Sequence, residues 1–314
     1  MNRPREELKA QARALRSTGL SQSAIAQKMG VPRRTIADWL KNHIGENRQD
    51  PQDGENRPSA SPPPRYLVVR GGVETFRPPD GVAFSLIIAD PPWNISDVGH
   101  KRERKVRPNR PFTKDFGPWD AFKSDRAYLA YCRQWLAALY DVAAPDAWLF
   151  FWCSYRYMSH ILREAGRAGW RDHTIYIWHK QNPLPMFGNN NFLASGELAL
   201  VLAKGSPHFD WGPKHGQPHN HFESPQVSGK ERVKDHNGGA ANVAQKPLAL
   251  TSLWVDWASC PGDWVLDAFA GTGTALVAAL RLGRNACAVE KDPALAHQIE
   301  ARILQECPGA IPYA

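Results

Sequence analysis

The chain has 314 residues and a net charge of +8, and 42% of its residues are hydrophobic. This suits one large α/β domain with a substantial core beside a small accessory domain, and the basic balance favours an anionic partner. The five cysteines are scattered, the N-terminal segment is polar, and no apolar run reaches membrane-spanning length. A cytoplasmic protein with reduced thiols and no membrane attachment is therefore expected.

Residues 1–45 predict a small all-α domain. After a first helical segment, Ser21 can cap a second helix that ends at Gly30, and Pro32 can begin a third. The segment resembles the helix-turn-helix of small phage and transposase-like DNA-binding proteins. Residues 1–48 hold ten basic and four acidic side chains, which favours DNA over a helical hairpin used for protein contacts. In such domains the recognition helix enters the major groove with its first residues, here Arg33, Arg34 and Thr35.

Residues 46–65 are polar and rich in proline, so they are expected to form a linker. In residues 66–314, apolar runs of strand length alternate with helical patterns, as in Phe84 to Ala89, Tyr128 to Ala143 and Ala147 to Cys153. This alternation predicts a layered α/β sheet. Three tryptophans are expected to fill its core rather than to stack on bases: Trp148, Trp152 and Trp178.

The apolar strand before residue 90 ends in the sequence Asp90-Pro91-Pro92-Trp93. Prolines fix φ and lack backbone donors, so the strand must end there in a rigid turn. The turn presents one carboxylate, fixed carbonyls and one large ring, which suits a flat heterocycle that carries an amino group. For the tetrapeptide alone, a plain strand followed by a proline-rich turn remains the alternative.

Two polar segments are candidates for contacts with a nucleic acid. Residues 101–110 form a basic loop directly after the turn, where phosphate contacts compete with a merely solvated charge run. The candidate side chains are Lys101, Arg102, Arg104 and Lys105. Residues 205–243 have little apolar periodicity, and a target-recognition insertion is the preferred interpretation of so long an irregular segment. Its histidines complete no zinc-ligand spacing, and no metal is expected.

A second constellation begins at Asp267. The sequence Asp267-Ala268-Phe269-Ala270-Gly271-Thr272-Gly273-Thr274 predicts a strand, a glycine-rich turn and the start of a helix, and the next strand ends at Glu290. Glycines at such a turn let a ligand approach the backbone, and the acid can bind ribose hydroxyls. An NAD site or a simple tight turn are the alternatives, although the third spaced glycine of dinucleotide sites is missing.

Together these segments resemble the DNA N6-adenine/N4-cytosine amino-methyltransferases, which use S-adenosylmethionine. Asp90 to Trp93 is similar to their catalytic motif IV, (D/N/S)-P-P-(Y/F/W), and Asp267 to Thr274 is similar to motif I. Gln245-Lys246-Pro247 is similar to motif X, which helps to hold the methionine end of the cofactor. Motif IV precedes motif I, which is the order of the β-class. The resemblance implies a Rossmann-like methyltransferase sheet with helices on both faces.

The resemblance also implies the activity: transfer of a methyl group from S-adenosylmethionine to the exocyclic N6 of adenine in double-stranded DNA. Trp93 would stack on a flipped base, while Asp90 and the carbonyl of Pro91 would accept its amino hydrogens, with Pro92 completing the catalytic turn. The cofactor-binding residues that it implies are Asp267, Phe269, Ala270, Gly271, Thr272, Gly273, Thr274, Glu290, Lys246 and Pro247.

Several alternatives stay open. An N4-cytosine enzyme is the closest rival, and a non-catalytic DNA-binding regulator that senses the cofactor is another. Trp93 in place of tyrosine is similar to the mRNA adenine methyltransferases, but those lack this glycine-rich turn. Cytosine-C5 chemistry is excluded because the chain contains no Pro-Cys dipeptide. A homodimer and a cognate restriction endonuclease are further partners that the sequence leaves open.

Overall fold

The computed structural model of the protein describes residues 5–17, 22–32, 35–36, 39–40, 62–95, 104–107, 110–112, 118–183, 192–211, 217–235 and 237–313. For residues 17, 22–24, 104–107, 110–112 and 118, the description covers the backbone only. Within these residues, no helix combines the length and the apolar character that crossing a membrane requires.

The N-terminal part is helical, with α1 (Arg5–Ser17) and α2 (Gln22–Met29), and the backbone is helical again at residues 35–36 and 39–40. Gly30 follows α2 with a φ of +64°, a conformation that glycine adopts without strain. A small core of its own holds these helices together, formed by Ala12, Ile25, Ile36, Trp39 and Leu40. This arrangement agrees with the predicted helix-turn-helix fold.

The rest of the chain is built on strands. They are β1 (Arg65–Arg70), β2 (Phe84–Ala89), β3 (Arg104–Arg107), β4 (Arg110–Phe112), β5 (Ala143–Cys153), β6 (Arg171–Lys180), β7 (Gly196–Lys204), β8 (His221–Ser224), β9 (Trp264–Asp267), β10 (Asn285–Glu290) and β11 (Ile311–Pro312). Nine of them form one sheet in the order β11-β1-β10-β9-β2-β5-β7-β6-β8. Neighbouring strands are parallel except that β7 runs antiparallel to β5 and β6.

Helices cover both faces of this sheet. One face carries α3 (Asp125–Val142) and α4 (Met158–Arg167), and the other carries α5 (Leu248–Ala258), α6 (Thr274–Arg281) and α7 (Pro293–Glu306). Because both faces are covered, the central strands are continuous apolar runs, and all six residues of β2 are buried. The predicted fold class is therefore confirmed. The prediction that Trp148, Trp152 and Trp178 fill the core is also confirmed, since each is at most 3% exposed.

Two predictions of irregular structure are wrong in part. The basic segment expected to be a loop contains β3 and β4, which pair antiparallel as a hairpin. The segment 205–243 contributes β8, which extends the sheet beside β6, and an isolated bridge joins Lys234 to Ala240. Residues 221–224 form a strand because they hydrogen-bond to the edge strand β6, although their sequence has no apolar periodicity. The limits of the two domains stay predictions, and most of the expected linker, residues 46–61, lies outside the described residues.

Candidate active site

The strand directions gather polar side chains at one edge of the sheet. The parallel strands β9 and β10 end there at Asp267 and Glu290, and Asp90 directly follows the end of β2. β2 and β9 are direct neighbours, and the backbone N–H of Ala268 donates to the carbonyl of Ile88 at 2.9 Å. The proline turn and the glycine turn therefore leave adjacent strands at the same edge, as expected for a ligand site in an open parallel sheet.

One buried carboxylate holds the backbone of the turn that follows Asp90. The Oδ1 atom of Asp120 accepts the N–H groups of Trp93 at 2.5 Å and Asn94 at 2.8 Å, and its Oδ2 atom accepts that of Ile95 at 2.9 Å. Asp120 is 1% exposed. Three donors on one ionised acceptor fix the turn firmly, because charge-assisted hydrogen bonds are the stronger kind.

Side-chain contacts add to this support. Asn94, which has a φ of +53°, donates from its side chain to the hydroxyl of Tyr157 at 2.9 Å, and its Oδ1 atom accepts the N–H of Phe122 at 3.2 Å. The hydroxyl of Tyr128 donates to the carbonyl of Pro92 at 2.9 Å. The ring of Trp93 thus projects from a backbone that is tied to α3 and to the start of α4.

Asp90 faces a buried ammonium group. Lys246 Nζ lies 2.5 Å from Asp90 Oδ2, and it lies 5.3 Å from the ring centre of Trp93 and 5.1 Å from that of Trp152. A second acid, Glu197, has its Oε2 atom 3.6 Å from the same nitrogen. The aromatic faces and the two carboxylates stabilise the positive charge of Lys246 in a pocket that is largely shielded from water.

The two partners of this ion pair both have shifted pKa values. Burial raises the pKa of Asp90, and the positive charge of Lys246 counteracts only part of that effect. Burial by itself would lower the pKa of Lys246, but the charges of Asp90 and Glu197 outweigh it, so the pKa is raised and the lysine stays protonated. The ion pair with the protonated Lys246 therefore favours the charged form of Asp90, in opposition to the effect of burial.

The glycine turn is shaped by carboxylates of its own. Asp267 Oδ2 accepts the N–H groups of Ala275 at 3.0 Å and Leu276 at 3.2 Å, which ties the first turn of α6 to the end of β9. Glu290 Oε2 accepts the N–H of Gly271 at 2.7 Å. Burial raises the pKa of Asp267 to about 7, and it also raises the pKa of Glu290.

The backbone of this turn requires glycine. Gly271 and Gly273 have φ values of +55° and +74°, which side chains disfavour. A Cβ atom on Gly273 would lie 3.1 Å from Ile299, so α7 approaches the turn closely. Arg302 of α7 donates to the carbonyl of Thr272 at 2.9 Å and lies 3.4 Å from the hydroxyl of Thr274.

The other predicted cofactor residues lie at or near the same edge. Phe269 is half-buried with its ring edge-on to Trp135 at 5.7 Å, and Ala270 is buried. Pro247 precedes α5, and Lys246 just before it is turned toward Asp90. The structure therefore brings the predicted catalytic and cofactor residues together, while their individual roles stay predictions.

The predicted DNA-binding residues are only partly described. Arg33, Arg34, Lys101 and Arg102 lie outside the described residues. Thr35 is half-buried beside the small helical core, and Arg104 and Lys105 belong to β3, of which only the backbone is described. Sequence reasoning missed Asp120, Glu197 and Arg302, because each reaches the site from a distant part of the chain and no short motif marks it.

Comparison with known proteins bears on this site. The chain matches the N6/N4 methyltransferase family model, described as DNA methylase, over residues 84–301, and a homeodomain-like model over residues 3–50. It is 28% identical over 246 residues to the type II methyltransferase M.HinfI of Haemophilus influenzae, across 76% of this chain and 67% of that protein. It is 23% identical over 224 residues to the type II methyltransferase M2.DpnII of Streptococcus pneumoniae, across 67% of this chain and 78% of that protein.

Solved structures share the fold. The crystal structure of the M1.HpyAVI–SAM complex superposes with a TM-score of 0.56 at 22% identity, covering 76% of this chain and 98% of that one. The cytosine-N4-specific PvuII DNA methyltransferase superposes with a TM-score of 0.55 at 16% identity, covering 80% and 96%. At such identities the likeness concerns the fold. The family model, in contrast, spans more than half of the chain, and the protein therefore belongs to the N6/N4 DNA methylase family.

Proposed function

We propose that this protein is a site-specific DNA methyltransferase of the β-class that transfers a methyl group from S-adenosylmethionine to the N6 amino group of adenine in duplex DNA. The observation that carries the proposal is the common edge of β2 and β9, at which the turn from Asp90 to Trp93 and the glycine turn lie side by side. The chain order, with the proline turn before the glycine turn, is that of the β-class. The acid at position 90 favours adenine over cytosine.

On this proposal the base is held by the proline turn. A base stacked in a duplex must be flipped outward before it can enter, at a cost of roughly a few kcal/mol. Stacking on Trp93 offsets that cost. Asp90 and the Pro91 carbonyl accept the two amino hydrogens, which orients the nitrogen lone pair for attack. Because burial raises the pKa of Asp90, its carboxylate is a strong acceptor for such a donor.

The residues of the glycine turn suit the adenosine and methionine parts of the cofactor. Gly271 and Gly273 have the positive φ values that shape the turn, and a Cβ atom on either would meet a protein side chain, Asn242 or Ile299, so the glycines set the backbone path on which the cofactor would lie. Glu290, which already accepts the N–H of Gly271, has lone pairs left for a ribose diol. S-adenosylmethionine, when bound, supplies an electrophilic methyl group on a sulfonium. The side chains of Asp90 and Trp93 contribute position and a water-poor environment.

The helical domain and the basic hairpin are proposed to hold the duplex. Thr35 with Arg33 and Arg34 would contact the major groove. Phosphates near the flipped base would be contacted by Lys101, Arg102, Arg104 and Lys105. We propose 1–45, 46–65 and 66–314 as the limits of the DNA-binding domain, the linker and the catalytic domain, with 205–243 as the recognition insertion. Association into a homodimer and pairing with a cognate restriction endonuclease remain predictions.

The test is methyl transfer from labelled S-adenosylmethionine to unmethylated DNA. The wild type is expected to label the DNA, and Asp90→Ala is expected to lose at least about a hundredfold in rate while its cofactor affinity stays within a few fold. Asp172→Ala, an exposed acid on β6, is the matched control and should keep the wild-type rate.

Mass spectrometry of the digested product identifies the base. N6-methyladenine supports the proposal, and N4-methylcytosine would replace it with the rival specificity. Tight DNA binding without methyl incorporation into any DNA would contradict catalysis and support a non-catalytic regulator.

A further inference from the structure

Glu197 is an acid of the candidate active site that no motif marks. It stands at the start of β7, and because β7 is the reversed strand, this start lies at the same edge as the end of β2. Its Oε1 atom accepts a hydrogen bond from Lys180 Nζ at 3.0 Å. Its Oε2 atom is buried and accepts no hydrogen bond from any described group. An unused buried carboxylate oxygen is costly, which calls for a donor that reaches it in another state.

Lys246 is a donor that lies close to the Oε2 atom of Glu197. Its ammonium lies 3.6 Å from Glu197 Oε2, beyond hydrogen-bond distance, and 2.5 Å from Asp90 Oδ2. The lysine side chain is 10% exposed. A shift of the ammonium by about 1 Å would convert the longer contact into a charge-assisted hydrogen bond of about 2.8 Å.

The present position of Lys246 conflicts with the reaction. The ammonium occupies Asp90 Oδ2 and lies over the ring of Trp93. These are the acceptor and the stacking face that the proposed function assigns to the target base. An entering base must therefore displace the ammonium from Asp90, which would leave it with the carbonyl of Ala244, 3.2 Å away, as its hydrogen-bond acceptor and with no carboxylate in hydrogen-bond contact. Separating a buried cation from its paired carboxylate in this way would be strongly unfavourable.

We propose that Lys246 is a two-position switch, bound to Asp90 while the base pocket is empty and to Glu197 once the base has entered. Glu197 is then a positioning residue that acts through Lys246. Asp90, Glu197, Lys180 and Lys246 all stay in the pocket in either state, so the net charge of the pocket does not change. The inference rests on the proposed function, since it requires a base that competes for Asp90.

Glu197→Gln is the direct test, because the amide keeps the size of the side chain but removes the charge that attracts the ammonium. With unmethylated phage DNA and saturating S-adenosylmethionine, its KM for DNA should rise about tenfold to a hundredfold, the equivalent of one charge-assisted hydrogen bond. Its affinity for S-adenosylmethionine should stay within about twofold of the wild-type value. A variant that merely disturbed the structure of the site would lose cofactor affinity as well. Glu300→Gln, on the outer surface of α7, is the matched control and should behave as wild type.

A second measurement does not depend on any variant. In a structure of the wild-type protein with a trapped target base, Lys246 Nζ should lie within hydrogen-bond distance of Glu197 and should have left Asp90 Oδ2. An unchanged KM in Glu197→Gln, a parallel loss of cofactor affinity, or a base-bound structure with Lys246 still on Asp90 would each overturn the switch. Failure of the wild type to transfer any methyl group would contradict the proposed function itself, and the two failures are thereby distinguished.

Discussion

The strongest test of how the proline turn from Asp90 to Trp93 is held in place is the removal of Asp120. Its carboxylate accepts the backbone N–H groups of Trp93, Asn94 and Ile95. Asp120→Ala leaves three donors without this acceptor. Asp120→Asn keeps one oxygen, which can still accept the first two donors, and places an NH2 group against the third.

The expected loss follows from the number of bonds and from their exposure. A hydrogen bond to a charged group contributes about 1.5–3 kcal/mol, but water can reach part of this half-buried turn, so the three contributions do not add in full. We expect Asp120→Ala to lower the free energy of unfolding by about 3–5 kcal/mol and Asp120→Asn by about 1–3 kcal/mol. Since domains are stable by only about 5–15 kcal/mol, the alanine variant should lie close to its unfolding threshold at 37 °C.

Urea unfolding followed by tryptophan fluorescence measures these differences, with Asp172→Ala as the surface control. Methyl transfer at 20 °C, where both variants are expected to be folded, should fall in the same order, because Trp93 loses its fixed direction. Surface substitutions ordinarily change the free energy of unfolding by no more than about 0.5 kcal/mol. If the free energy of unfolding of either variant lies within that range of the wild-type value, then Asp120 does not hold the turn. The same conclusion follows if the asparagine variant is less stable than the alanine variant.

Three further predictions concern the glycine turn. Because the folded protein raises the pKa of Asp267 to about 7 from 3.8, it binds more protons than the unfolded chain between about pH 4 and 7. Stability should therefore fall as pH rises through that window, on the order of 1 kcal/mol per pH unit at most, and urea unfolding of Asp267→Asn should show a flatter profile. Gly273→Ala should lower the free energy of unfolding by about 1–2 kcal/mol, because alanine disfavours the left-handed backbone, and the contact with Ile299 should lower it further. Calorimetric titration should also show weaker binding of S-adenosylmethionine. An unchanged affinity would contradict the proposed cofactor site. Arg302→Met removes the donor to Thr272 and should lower the free energy of unfolding by about 1–3 kcal/mol; full stability in the melting curve would mean that this arginine does not brace the turn.

The parts of this protein that obey local rules could be predicted from sequence. The run from Phe84 to Ala89 predicted β2 because an apolar strand stopped by two prolines has no other reasonable structure. The glycines at 271 and 273 predicted a turn between a strand and a helix, and the structure has that turn, with both glycines at positive φ. Such signals depend on neighbours in the chain, which a single sequence displays.

The parts that depend on strand direction could not be predicted. Glu197 lies beside Lys246 at this edge only because β7 is reversed, and nothing in the sequence of β7 shows in which direction the strand runs. Asp120 lies 25 to 27 residues from the turn residues that it supports, at the end of a single helical turn, Pro118–Asp120, that carries no motif. β8 has only four residues of mixed exposure, so its pairing with β6, and not its composition, makes it a strand.

The place of β8 at the end of the strand order has an evolutionary consequence. A terminal strand can be lengthened, shortened or replaced without repacking the interior, since only one neighbour constrains it. The exposed side chains of β8, those of His221 and Glu223, can therefore change while the sheet keeps its packing. On the proposed function, exchanging β8 between relatives is a route by which one framework acquires different sequence preferences.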